Sequence, residues 1–231
     1  MKATKTILKI LIGVSVPLFI LTFAIAVPIL CRPYYYANIK WLNLEEETGF
    51  TYQQIKTAYD DVMDYLVCGK QFKTGDLRYS QEGKQHFADC KKLFVLDFIV
   101  LGVTAAFLAT LFILRKVKKI DLDYKKRTPA FWGVSTMLGL FAALGIYGAI
   151  DFDGFFTLFH KVFFAGKDNW VFDSYSDQII DILPQRLWAN FAILIVVIVV
   201  LLVVGVYVLE YVRRRKLKTN DNHQKEYPIK K

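Results

Sequence analysis

Residues 191–209 read FAILIVVIVVLLVVGVYVL, a run without a charge, an amide side chain or a proline. About 20 such residues, as a helix, rise about 30 Å, the thickness of a bilayer's hydrocarbon core. A helix also satisfies its backbone N–H and C=O groups internally, which an apolar solvent demands. The stretch therefore reads as a spanning helix from Ala189 to Tyr211. Three further runs meet the same test: Ile7 to Leu30, Leu93 to Leu114, and Ala130 to Ile150. The whole chain agrees, since 55% of its 231 residues are hydrophobic and 16% aromatic, too apolar for an ordinary soluble domain. The expected fold is all-α, a polytopic membrane protein with four transmembrane helices. Two structured extracytoplasmic segments, 31–92 and 151–188, are expected to contain amphipathic helices. A single membrane domain is expected over 1–212, with a basic tail over 213–231.

The first run resembles a signal peptide in its basic start (Lys2, Lys5, Lys9) and its Ala24-Ile25-Ala26. It continues past that point to Leu30, longer than a signal core, so it is expected to be retained as an anchor. Charge placement sets orientation. The connection 115–129 holds seven Lys/Arg against two acids, and the tail after Tyr211 holds eight Lys/Arg. Segment 151–188 has three against six acids, and 31–92 has nine of each. By the positive-inside rule both termini and 115–129 are expected in the cytoplasm, with the two long segments outside. The net charge of +9 is thus a topology signal and calls for no nucleic-acid partner. The run RRRKLK, Arg213 to Lys218, could also touch anionic lipid.

Cys31, Cys68 and Cys90 fall on the outer side or its border. Cys68 and Cys90 could pair, but the odd count and the spacing argue against a disulfide framework, and all three are read as structural. From Thr51, TYQQIKTAYDDVMDYL puts Ile55, Tyr59, Val62 and Leu66 on one helical stripe, with Thr51 and Gln54 spaced as a capping box. Ser80 reads as the cap of a helix that continues unbroken into the second span. His86, Asp89, Cys90, Leu93 and Asp97 share one face of it, and Asp97 lies about one turn inside the apolar run. An ionisable group at that depth is a functional candidate, with snorkelling to the interface as the plainer reading. Gly154 and Gly166 bracket a half-apolar helical run bearing His160, followed by the turn Lys167-Asp168-Asn169. Ser176 is expected to cap a short helix ended near Pro184. In the third span Ser135, Gly139 and Ala143 recur every four residues, the pattern of a close helix-packing face. Trp41, Trp132, Trp170 and Trp188 sit at predicted span ends, as an interfacial belt requires.

Three histidines are present, and His223 lies in the tail. His86 and His160 come from different segments yet are expected at the same membrane surface. No HExxH, no Cys/His ligand spacing, no GxSxG, no HxxxxD, no P-loop and no dinucleotide fingerprint accompanies them. No metal or cofactor is therefore expected. What remains is acid/base work by imidazole, whose ordinary pKa of about 6.5 suits it. A positioned base supplies about 10²–10⁴-fold, enough where the substrate brings its own nucleophile.

The stretch FFTLFHKVFFAGKDNWVFDSYSDQIIDILP, Phe155 to Pro184, resembles the signature of the bacterial lipoprotein intramolecular transacylases, a four-span family. QHFADCKKLF, Gln85 to Phe94, resembles that family's other histidine-bearing motif, just before the second span. The resemblance covers most of the chain. Ala165, Lys167 and Ser174 depart from it, where proline, asparagine and proline are expected; they bear on loop shape more than on chemistry.

The resemblance implies an enzyme of the bacterial cytoplasmic membrane, with its active site at the extracytoplasmic face. It would move the sn-2 acyl chain of a diacylglyceryl lipoprotein to the α-amino group of the same N-terminal cysteine, giving the lyso form. His86 and His160 are the expected catalytic residues, one taking the amine's proton and the other serving the oxyanion or leaving oxygen. Asp89, Asp97, Asn169, Trp170, Asp173 and Asp177 are the expected supporting or orienting residues. The partners implied are the lipoprotein substrate and membrane lipid, and the chain is expected to work as a monomer. A membrane phospholipase or lysophospholipase, releasing fatty acid to water, is the enzymatic alternative. A non-enzymatic membrane subunit, tolerant of histidine loss, is the other.

Overall fold

The computed structural model describes residues 2–118, 122–124 and 126–226. Its described elements are α1 (Lys2–Leu30), α2 (Arg32–Trp41), α3 (Leu44–Thr48), α4 (Tyr52–Cys68), α5 (Gln81–Lys118), α6 (Pro129–Ile150), α7 (Phe152–Phe163), a 3-10 turn (Gln178–Ile180) and α8 (Gln185–Glu226). No strand occurs among the described residues. Four helical stretches are long and apolar enough to cross a bilayer: Ala3–Leu30, Gln81–Arg115, Pro129–Ile150 and Gln185–Thr219. All four expected spans are present. At 38 residues, α5 is about 57 Å long, nearly twice what a bilayer core needs. Its first turns, before Leu93, are thus free to carry polar side chains.

The chain divides into two compact units to which the four long helices all contribute. One comprises Thr22–Leu101 and Ala143–Val196; the other comprises the described residues of Met1–Leu21, Gly102–Ala142 and Val197–Lys231.

The first unit is built around α4. Its start is the expected capping box: the Gln54 amide donates to Thr51 Oγ1 at 3.3 Å, and the Thr51 amide donates to Gln54 Oε1 at 3.0 Å. Its end is Gly69 in the left-handed region, φ 72°, which glycine adopts without the cost a side chain would add. Ile55, Tyr59, Val62 and Leu66 are all buried, so the predicted stripe is the core face. It packs on Tyr35, Ile39 and Leu44 from α2 and α3, and on Ile179, Ile182 and Leu187. Tyr35 stacks on Tyr59 with ring centroids 3.6 Å apart, and its hydroxyl donates to the Ile182 carbonyl at 2.9 Å. Arg32 then ties the start of α2 to α4 through Asp60 (3.2 Å) and Asp64 (2.5 Å). Neither α2 nor α3 was expected from the sequence. Pro33 at the second position of α2 accounts for the first, because the amide it lacks would have had no intrahelical partner there.

On α6 the expected small-residue face is not where helices meet. Gly139 has nothing within 4 Å of a Cβ built upon it, and Ala143 is exposed. The close approach is instead between Gly13 of α1 and Gly133 of α6, where a Cβ on Gly133 would lie 2.0 Å from the Gly13 carbonyl oxygen. Ser135 does contribute, through a 3.0 Å hydrogen bond with the Tyr207 hydroxyl. Buried Glu210 accepts from Thr128 Oγ1 at 2.9 Å and pairs with Arg213, which also pairs with Asp123. His223 lies on α8, and its side chain is outside the described residues.

Candidate active site

Ser80 begins the site by capping α5: the Gly83 amide donates to its Oγ at 2.9 Å. The Ser80 amide in turn donates to Asp177 Oδ1 at 2.7 Å, and the Arg78 amide to Gln178 Oε1 at 2.9 Å. These bonds hold the 175–178 turn against the head of α5. The approach is close enough that a Cβ on Gly83 would sit 2.2 Å from Asp177 Oδ1 and 3.0 Å from Phe172. The sequence expectation for Asp177 was an orienter of imidazole; its hydrogen bonds go to Ser80 and Ser176. Asp173 is exposed and accepts from the Tyr175 amide and Ser176 Oγ within its own turn. Ser176 does not cap the helix expected there: a 3-10 turn follows, without a side-chain cap. Serine's hydroxyl is spent on the turn before it.

His86 lies on the anchored part of α5 and is 6% exposed; His160 lies on α7 and is 7% exposed. Their ring centroids are 5.9 Å apart, with planes 28° from parallel. The structure thus brings together the two histidines that sequence reasoning paired. Phe164 at 4.7 Å and Phe172 at 5.4 Å enclose the His86 ring. Phe156 at 4.2 Å and Trp170 at 4.8 Å sandwich the His160 ring. Trp170 is itself fixed by an Nε1 bond to the Lys167 carbonyl, 3.0 Å. The sequence named Trp170; that Phe164 and Phe172 are the rings facing His86 was not legible there. Their only signal was membership of an aromatic run, which does not say which rings face inward.

Around the rings the polar contacts are few and specific. His160 Nδ1 lies 2.8 Å from the Phe156 carbonyl oxygen. A carbonyl only accepts, so Nδ1 carries the proton and Nε2 is bare in the neutral ring. Burial among aromatics pushes the His160 pKa below its ordinary value, partly offset by the Phe156 bond. His86 Nε2 lies 3.4 Å from Cys90 Sγ, one turn along α5. Asp89, 4% exposed, lies between Lys92 Nζ (2.9 Å) and Lys167 Nζ (2.6 Å), and accepts from Asn169 Nδ2 at 3.3 Å. Lys167, where the resemblance led asparagine to be expected, is thus ion-paired with Asp89. Asp97, 11 positions beyond His86, is about 16 Å along the helix axis and does not join the pair. Its Oδ2 is buried with no hydrogen-bond partner among the described residues. Cys31, Cys68 and Cys90 are all free thiols. Among the described residues no three His, Cys, Asp or Glu side chains converge as metal ligands would.

Residues 10–188 match the sequence profile of the family described as lipoprotein intramolecular transacylase Lit. The chain belongs to that family. Membership makes this Lit-family chain an acyltransferase acting on lipoproteins, and with its four apolar helices it is a multi-pass membrane protein. A solved Lit from Bacillus cereus is similar over 96% of this chain and 100% of its own, with 25% identity and a TM-score of 0.81. Two further B. cereus Lit structures carry a mutation of a histidine, to arginine and to alanine. Each is 24% identical with a TM-score of 0.78, covering 95% and 94% of this chain and 96% and 97% of theirs. No match was found among curated protein sequences.

Proposed function

We propose that His86 and His160 together move the sn-2 acyl chain of a diacylglyceryl lipoprotein to the α-amino group of the same molecule's N-terminal cysteine. The observation that carries this is a pair of buried imidazoles, 5.9 Å between centroids, enclosed by aromatic rings. The substrate's α-amine has an ordinary pKa of about 7.7–8.0 and arrives largely as an ammonium. It must lose two protons to become an amide, and one must reach the departing glycerol oxygen. Two neutral imidazoles meet that demand.

His160 takes the first proton on Nε2. The resulting imidazolium lies against Trp170 and Phe156, whose π-faces favour a cation. The free amine attacks the sn-2 carbonyl carbon, and His86 takes the second proton as the tetrahedral centre forms. The C–O bond then breaks, and the His160 imidazolium protonates the leaving glycerol oxygen. His86 finally releases its proton. Ester and amine become amide and alcohol, with no acyl-enzyme and no water. Phe164, Phe172 and Trp170 keep water out, which separates transfer from hydrolysis. A cleft of about 280 Å³ lined by Glu82, Asp168 and Asn169 offers a cationic amine an acidic approach. The charge distribution supports an orientation with 31–92 and 151–188 outside and both termini in the cytoplasm. The chain acts as a monomer in this reading.

The test is mass spectrometry of a lipoprotein's N-terminal lipopeptide, from a host that otherwise keeps the diacyl, free-amine form. The wild-type chain is expected to leave the mass unchanged while shifting one acyl chain to the amine. His86→Ala and His160→Ala should lower the product by about 10²-fold or more. Loss of one acyl mass would identify a lipase, and full product from both single variants would end the two-histidine reading.

A further inference from the structure

We propose that Lys167 is a positioning residue for the transfer: its ion pair with Asp89 clasps the 164–170 turn to α5 and so fixes where His160 stands relative to His86. The proposal rests on the transacylase reading and deepens it. The contacts of the two imidazoles with Cys90 and with the Phe156 carbonyl lie within α5 and α7 respectively, so they do not set the distance between those helices. Asp89, three residues after His86 on α5, is 4% exposed. Its two oxygens have different partners. Oδ1 pairs with Lys92 of the same helix at 2.9 Å. Oδ2 takes both contacts from the turn, Lys167 Nζ at 2.6 Å and Asn169 Nδ2 at 3.3 Å.

Lys167 ties α5 to the rings through its side chain, its amide and its carbonyl. The side chain reaches Asp89. The amide donates to the Phe164 carbonyl at 3.0 Å, and the Phe164 ring lies against both His86 (4.7 Å) and His160 (5.5 Å). The carbonyl accepts from Trp170 Nε1 at 3.0 Å, and the Trp170 ring stacks on His160 at 4.8 Å. Gly166, with φ 76°, supplies the left-handed residue at which the chain folds back. A shift of Lys167 therefore carries with it two of the rings that seat His160. Misplacing reacting groups by about 1 Å is enough to cost about 10²-fold in rate. The charges separate this role from a folding role. Without Lys167 the buried carboxylate keeps Lys92, so no buried charge is left unpaired. Lys92 cannot replace Lys167, because its ion pair stays within α5.

The test uses the full chain in detergent, with two readouts. One is the kinetics of acyl transfer within a diacylglyceryl lipopeptide. The other is the NMR signal of the Trp170 indole N–H, identified with Trp170→Phe. Lys167→Met should lower kcat by about 10- to 100-fold at a KM within about twofold, and should move or broaden the Trp170 signal. Lys167→Arg keeps the ion pair and should recover most of the rate. Lys92→Met removes a charge from the same carboxylate but no link between segments, and should leave both the rate and the Trp170 signal close to wild type. Asp89→Asn should slow transfer as Lys167→Met does, and the double variant should be little slower than either, because one contact is lost in all three. Wild-type kcat in Lys167→Met, or an equal loss in Lys92→Met, would overturn the proposal. So would additive losses in the double variant. Should Lys167→Met not fold, the lysine is structural and the proposal falls as well. A wild-type chain whose Trp170 signal depends on Lys167 but that moves no acyl chain would instead overturn the transacylase reading and leave the clasp standing.

Discussion

His160 titrates against its burial, and this has consequences for both stability and rate. Its pKa is pushed below the ordinary value of about 6.5 by desolvation among Phe156, Phe164 and Trp170. Between the lowered value and 6.5 the unfolded chain binds more protons at this site than the folded one, so stability rises with pH across that window. The contribution is complete above 6.5 and is lost as pH falls through the window. Thermal unfolding in detergent should therefore move to lower temperature as pH drops from about 7 to about 5, and His160→Gln should flatten that slope. The same sign governs rate, because only the neutral ring can take the first proton. The acid limb of the pH–rate profile should fall below 6.5 rather than at it. At this scale the histidines and their pairing were legible in the sequence, since both motifs carry a rare residue. Asp89 and Asn169 were both named as support, but their pairing was not, because the contact spans 80 positions.

The junction between the head of α5 and the 175–178 turn decides where His86 points. It has three side-chain or backbone anchors, Ser80, Asp177 and Gln178. It also has one steric requirement, at Gly83. Gly83→Ala would place its Cβ 2.2 Å from Asp177 Oδ1 and 3.0 Å from Phe172. Gly83 is helical, so its backbone gains nothing from being glycine, and alanine would otherwise favour the helix. The clash should reverse that preference and destabilise the chain by about 1–3 kcal/mol. Calorimetry or a thermal-shift measurement reads the loss, and a stabilised variant would contradict the packing at this junction. The Ser80 cap was visible in the sequence. The contact of Asp177 with Ser80 was not, because it joins residues 97 positions apart, beyond the reach of local spacing.

For the whole molecule the testable statement is orientation. Cys68 is exposed, whereas Cys31 and Cys90 are half-buried. In the proposed topology Cys68 ends α4 on the outer side. A membrane-impermeant maleimide added to intact cells should label it, and Cys68→Ser should abolish most of the signal. Labelling that appears only after the membrane is broken would invert the topology and move the proposed site to the cytoplasmic side. The four spans themselves were legible because apolar length is a one-dimensional property, set by rise per residue and bilayer thickness.

The sequence by itself determined the spans, the α4 core stripe, the caps at Thr51 and Ser80, and the two histidines. Each depends on residues a few positions apart, where helical geometry converts spacing directly into position. Only the tertiary structure decided the rest. It moved the close helix approach from Gly139 and Ala143 to Gly13 and Gly133. It chose Phe164 and Phe172 from many aromatics to enclose His86, and it sent Asp177 to Ser80 and Asp89 to Asn169. Those outcomes depend on which surfaces meet across long separations, and packing, not local spacing, selects them.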